Sequence, residues 1–232
     1  MLSQAASPLA QPLPIPIQPQ FKRGPFARRG QEPSAPRSAG IAMTFPRNKE
    51  ICGEGEPSKY VYRVVSGLVR VSKLLPDGRR QISAFHMPGD MFGFEFDNVR
   101  HFSAEAVVPT QVVAYKWQTM LTAGVQSGEI YRELLNATLK GLRQTQEQLL
   151  LVGRKSALER VTAFLLEMAG RTGETSVVEL PMPRHDIADY LGLTLETVSR
   201  MFGELKEMNA ITLDGARKVQ LLDRQRLANM CA

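Results

Sequence analysis

The stretch Arg184-His185-Asp186-Ile187-Ala188-Asp189-Tyr190-Leu191-Gly192-Leu193-Thr194-Leu195-Glu196-Thr197-Val198-Ser199-Arg200 decides how this chain is read. Its pattern describes two short helices, Arg184 to Leu191 and Leu195 to Met208, joined by a tight turn. Ala188 is small where one helix must approach the next, Gly192 can take the positive φ of the turn, and Val198 fills the space between the helices. Thr194 is placed to cap the second helix, with Thr197 three residues later. A helix pair of this design lays its second member in the major groove of DNA.

Glu196, Ser199 and Arg200 are spaced three and four apart, so they share one face near the start of that second helix. A carboxylate accepts from cytosine N4, a guanidinium donates two bonds to guanine O6 and N7, and a hydroxyl serves either way. These three residues are the expected base readers. Arg184, Thr194 and Thr197 suit backbone phosphates, which set register without reading sequence. The plainer alternative is an exposed ion pair between Glu196 and Arg200, common on any helix. The surrounding Ala188, Gly192 and Val198 frame favours DNA.

Downstream, Ala210 to Leu222 reads as a β-hairpin turning at Asp214-Gly215. Upstream lie a short strand at Val177 to Leu180 and a helix from Ser156 to Ala169. Before them, Ile130 to Val152 lacks proline and carries a heptad seam: Tyr131, Thr138, Thr145 and Val152 at one position, Leu135, Leu142 and Leu149 at the other. This seam predicts pairing with a second copy. A neighbouring stripe of Ile130, Leu134 and Ala137 is free to pack within the chain. Short β-prone runs at Tyr60 to Val65, Leu68 to Leu74, Gln81 to Phe85 and Gln111 to Tyr115 are separated by Gly67, Pro76-Asp77-Gly78 and Pro88-Gly89-Asp90. They suggest a small antiparallel barrel or jelly roll.

Residues 1 to 40 are Pro-rich and lack apolar periodicity, which predicts a disordered basic tail. Within it, Leu9 to Ile17 is interrupted by proline and has no charged start, so it is not read as a secretory segment. The net charge of +6 is a poor guide to function. Residues 1 to 49 hold seven Lys or Arg against Glu32 alone, while residues 50 to 232 hold 22 of each sign. DNA contact in the folded part must then depend on where a few cations stand. Two cysteines, Cys52 and Cys231, exclude a disulfide framework or a four-thiolate cluster within one chain. No apolar run is long enough to span a bilayer, and a cytoplasmic location is expected. A metal-dependent enzyme on the barrel would need two or three His with a carboxylate, whereas residues 51 to 120 offer only His86 and His101. Neither metal nor catalytic residues are expected.

From about Ile51 to Leu227, and most specifically in Leu191-Gly192-Leu193-Thr194-Leu195-Glu196-Thr197-Val198-Ser199-Arg200, the chain resembles the CRP/FNR family of bacterial regulators, closest to its FixK-like branch. That resemblance implies an α+β chain: the tail at 1–40, an N-terminal antiparallel β-roll (jelly-roll) domain at 41–125, a dimerisation helix at 126–153 and a winged helix-turn-helix domain at 154–232. It implies a homodimeric activator reading an inverted repeat of TTGAT-like half-sites in double-stranded DNA, for genes of low-oxygen respiration, nitrogen fixation or denitrification. It also implies contact with RNA polymerase through exposed loops such as Pro76 to Arg80. Leu195 stands where the CRP type has arginine, which disfavours the CRP half-site.

Where cyclic-nucleotide pockets of the family carry Gly-Glu and Arg-Ser pairs, this chain has Gly93-Phe94 and Phe102-Ser103, so a phosphate is expected to meet no cation. No cysteine precedes Ile51, against an FNR-type iron-sulfur cluster. No cofactor is expected. The alternative is an effector-gated regulator of the same family, holding haem or another small ligand, with His86 and Cys52 the imaginable haem ligands.

Overall fold

The computed structural model describes residues 40–231 apart from Phe96, Ser127, Glu174, Thr175 and Ala216; the tail expected at residues 1–40 lies outside them except for Gly40. Eight strands come first: β1 (Ile41–Phe45), β2 (Glu50–Cys52), β3 (Tyr60–Ser66), β4 (Val69–Leu74), β5 (Arg80–His86), β6 (Met91–Phe92), β7 (Ser103–Ala106) and β8 (Thr110–Lys116). They form two antiparallel four-stranded sheets, ordered β1-β8-β3-β6 and β2-β7-β4-β5. The jelly roll expected from turn spacing is present. All four strands read from β-branched and aromatic runs fall where expected, within a residue or so at each end. Four others were not anticipated, because β1 is a short edge strand, β2 and β6 are two or three residues long, and β7 reads Ser-Ala-Glu-Ala. The β4–β5 hairpin turns at Pro76-Asp77-Gly78, where Gly78 adopts φ 84° and the Asp77 carboxylate accepts from Arg79 N–H at 3.0 Å.

Helix α1 (Trp117–Gln126), missed in the sequence, leads into α2 (Gly128–Arg154). Ile130 and Leu134 of α2 are buried with Val61, Tyr115 and Met120, so the second stripe does pack on the roll. Then follow α3 (Ala157–Thr172), β9 (Val177–Glu179), α4 (Arg184–Leu191), α5 (Leu195–Glu207), β10 (Ile211–Asp214), β11 (Lys218–Leu221) and α6 (Arg224–Asn229). Ser156 and Glu159 close a capping box at the start of α3. The helix runs past Gly170 and ends at Gly173, which takes the left-handed φ of 72°. Strands β10, β11 and β9 make a three-stranded sheet beside the helix pair, the wing of a winged helix-turn-helix.

One apolar cluster lies inside the roll, around Tyr62, Val69, Phe92 and Val112. A larger one joins Leu68, Ile82, Phe85 and Met87 on the outer face of the roll to Phe164, Ile187, Leu191, Val198 and Phe202 of the C-terminal unit. Phe85, Phe164 and Tyr190 meet there with ring centroids 5.3 to 6.5 Å apart. The two ends of the chain therefore share a core.

Candidate nucleic-acid interface

The turn between α4 and α5 forms as its residues dictate. Gly192 has φ 63°, and Leu193 N–H donates to Ala188 O at 3.0 Å, closing the end of α4. Ala188 and Val198 are buried between the helices with Ile187, Leu191 and Phe202. Thr194 caps α5: its Oγ1 accepts from Thr197 N–H at 3.2 Å and lies 3.1 Å from Thr197 Oγ1.

Val198, Met201, Phe202 and Leu205 make the inward face of α5. Glu196, Ser199 and Arg200 are exposed on the other side. No Glu196–Arg200 ion pair occurs among the described residues, so the plainer intrahelical reading is not realised. Hydrogen bonds from its own backbone and from Thr194 hold the Glu196 carboxyl below the usual range, which keeps it an anionic acceptor. Thr194 is exposed and Thr197 half-exposed at the same helix end, where free N–H groups and the helix dipole favour an anion. Arg184 sits differently from a free phosphate ligand. Its guanidinium lies over the Phe202 ring, 3.2 Å from the centroid, and Nη1 is buried without a protein acceptor. Burial lowers its pKa to about 10.

On α2, Tyr131, Leu135, Thr138, Leu142, Thr145 and Leu149 all lie on the solvent side. Tyr131 is 61% and Leu149 73% exposed, an unusual cost for such side chains unless something covers them. Leu139 and Leu150 widen this face beyond the seam read from the heptads. Val152 departs from it: the side chain is half-buried and faces the turn, where a Cβ on Gly192 would meet it at 3.6 Å.

Arg80, placed in an exposed loop, is drawn back onto α4, where it donates to Asp186 Oδ1 at 2.5 Å and Asp189 Oδ2 at 2.8 Å. It left no trace in the sequence because its partners are over a hundred residues away. Pro76, Asp77 and Arg79 do remain exposed. The cavity beside the roll does hold arginines, each bonded within the protein. A space of about 740 Å³ between the roll, α2 and the C-terminal unit is lined in part by Cys52, His86, Arg100, Thr138, Arg171 and Tyr190. Arg100 is committed to the carbonyls of Tyr60 at 2.6 Å and Gly93 at 3.4 Å, and Arg171 to Asp90 at 2.6 Å. Burial, against the pull of Asp90 and with the push of Arg171 and Lys140, lowers His86 to about 4, so it is neutral near pH 7. Burial raises Cys52 to about 11, a protonated thiol.

Among the described residues no helix is long and apolar enough to cross a membrane. The model of the Crp-like helix-turn-helix domain matches residues 159–230, and that of the cyclic nucleotide-binding domain residues 42–123. The nitrogen fixation regulation protein FixK of Azorhizobium caulinodans is 41% identical over 246 aligned positions, covering 99% of each chain. The FixK protein of Rhizobium meliloti is 41% identical over 198 positions, with 85% of this chain and 89% of that protein covered. The structure of FixK2 from Bradyrhizobium japonicum superposes with a TM-score of 0.80 at 45% identity, covering 84% of this chain and 98% of its own. With a capped helix pair and its wing set behind a jelly roll, and with relatives this similar over nearly the whole length, the chain belongs to the FixK-like branch of the CRP/FNR family of sequence-specific DNA-binding transcription regulators.

Proposed function

We propose that the protein is a cytoplasmic, homodimeric activator that reads a palindrome of TTGAT-like half-sites with Glu196, Ser199 and Arg200. The observation that carries this reading is the division of α5: four apolar side chains are buried on one face, and the three base readers stand free on the other. Arg200 reads guanine through its fork and Glu196 accepts from cytosine on the facing strand. Thr194, Thr197 and Arg184 meet phosphates, Thr194 and Thr197 at the exposed start of α5. Two chains pair along Tyr131, Leu135, Thr138, Leu142, Thr145 and Leu149, and set two recognition helices about one duplex turn apart. Symmetry in the protein becomes palindromy in the site. The relatives named as nitrogen fixation regulators point to genes of that kind, with RNA polymerase met by the exposed turn Pro76 to Arg79.

Selection of bound sequences from random DNA tests the reading, with wild type and Arg200→Ala compared. Wild type is expected to recover an inverted repeat; Arg200→Ala is expected to lose about 1 to 3 kcal/mol at one base pair of each half-site and to relax preference there. Equal loss on specific and unrelated DNA removes Arg200 as a base reader.

A second reading rests on the cavity between roll and helices, whose size suits a small ligand. In it the protein is effector-gated. Repeating the selection with cyclic AMP or haem added separates the two, since a ligand-free relay binds the same DNA equally well without them.

A further inference from the structure

Helix α4 is held to the roll by charge at two points one turn apart. Asp186, fully buried in its first turn, accepts from Arg70 Nη1 of β4 at 2.7 Å and from Arg80 Nη2 of β5 at 2.5 Å. Asp189 accepts from Arg80 Nε at 2.8 Å, and its carbonyl accepts from Gln81 Nε2 at 2.7 Å. Arg70 is itself fixed from behind by Glu105 of β7 at 2.5 to 2.8 Å. At the other end of α4, Gln148 of α2 donates to Tyr190 O at 2.6 Å.

The chemistry of this junction sets it apart from ordinary packing. Apolar surfaces slide with little penalty, whereas charge-assisted bonds from a planar guanidinium are directional. Anchors at positions 186 and 189 fix both the tilt and the rotation of a helix. Docking of the two units does not depend on them alone, because Phe85, Phe164 and Tyr190 share a core and Arg171 of α3 holds Asp90. Helix α5 shares its core and turn with α4, so its heading follows that of α4.

We infer that Arg70 and Arg80 are positioning residues: by gripping Asp186 and Asp189 they set the angle of the recognition helix against the long helix, and thereby the spacing between half-sites that the paired chains accept. This rests on the proposal that α5 reads DNA in a dimer. It adds that the β4–β5 hairpin, which carries none of the proposed base readers, decides the distance between the two reading heads.

Full-length wild type, Arg80→Met and Arg80→Lys are compared by fluorescence anisotropy on duplexes with one half-site, with the selected palindrome, and with its spacer changed by one and two base pairs. Unfolding in urea checks that each variant is folded. Arg80→Met is expected to bind the single half-site within about twofold of wild type, to lose roughly tenfold on the selected palindrome, and to lose most of its preference over the altered spacers. Each 1.4 kcal/mol is a factor of ten, so the loss is readily measured. Arg80→Lys keeps the charge without the fork and is expected to recover part of the spacing preference. The inference is overturned if Arg80→Met keeps the wild-type spacing preference, or if half-site and palindrome binding fall in parallel. If wild type itself shows no preference for a half-site, the reading of α5 fails first and takes this inference with it.

Discussion

Helix α4 meets the protein through buried charge and aromatic surface: Asp186 has no accessible surface, and Tyr190 lies between Phe85 and Phe164. Helix α5, three residues further on, buries only one stripe and leaves Glu196, Ser199 and Arg200 to solvent. Both are short and amphipathic, yet one is packed as a joint and the other keeps an open face, which we propose reads DNA. The difference teaches that polar residues in a recognition motif divide by partner. Those satisfied within the chain hold its shape, and those left unsatisfied are available to a ligand. Asp186 and Arg200 look equally polar in the sequence and serve opposite ends.

The largest effect is expected from removing the aromatic floor under α4. Phe164→Ala is expected to cost about 3 to 5 kcal/mol of stability in urea unfolding; a loss below about 1 kcal/mol would mean that α4 is not packed as described.

His86, at the end of β5 beside the same interface, gives a pH signature. Its folded pKa of about 4 lies below the ordinary 6.5, so the unfolded chain binds a proton that the folded chain refuses. Stability from this site is complete above pH 6.5 and is lost as pH falls towards 4, with a slope approaching about 1.4 kcal/mol per pH unit. Stability curves for His86→Phe are expected to be flatter over that window, and superimposable slopes would contradict a neutral imidazole at the cavity wall.

On the α5 side, effects on stability shrink. Thr194→Ala removes the cap bond to Thr197 N–H and is expected to cost about 1 kcal/mol, read from the denaturation midpoint. Ser199→Ala is expected to change stability by less than about 0.5 kcal/mol while altering base preference in a binding selection. A large loss of stability would mean that Ser199 is packed within the protein as Asp186 is.

Local features of the motif were legible because short-range physics produces them. Gly192 supplied the turn, Thr194 the cap, and Val198 the buried contact between the helices, all within one or two helical turns. The heptad positions of α2 were legible for the same reason, although Val152 turns aside to the Gly192 region. Strands such as β6 and β7 were not, since two to four residues without β-branched side chains carry no pattern of their own and exist through their neighbours.

By itself the sequence determined the order of units, the two helices of the motif and the residues on the outward face of α5, because helical periodicity and turn chemistry are properties of neighbouring residues. Only the tertiary structure decided that Arg70 and Arg80 belong to Asp186 and Asp189, that a cavity opens between roll and helices, and that roll and reading head share one core. Pairings across a hundred residues leave no periodic trace; they follow from which surfaces meet when the apolar faces of separate units are buried together.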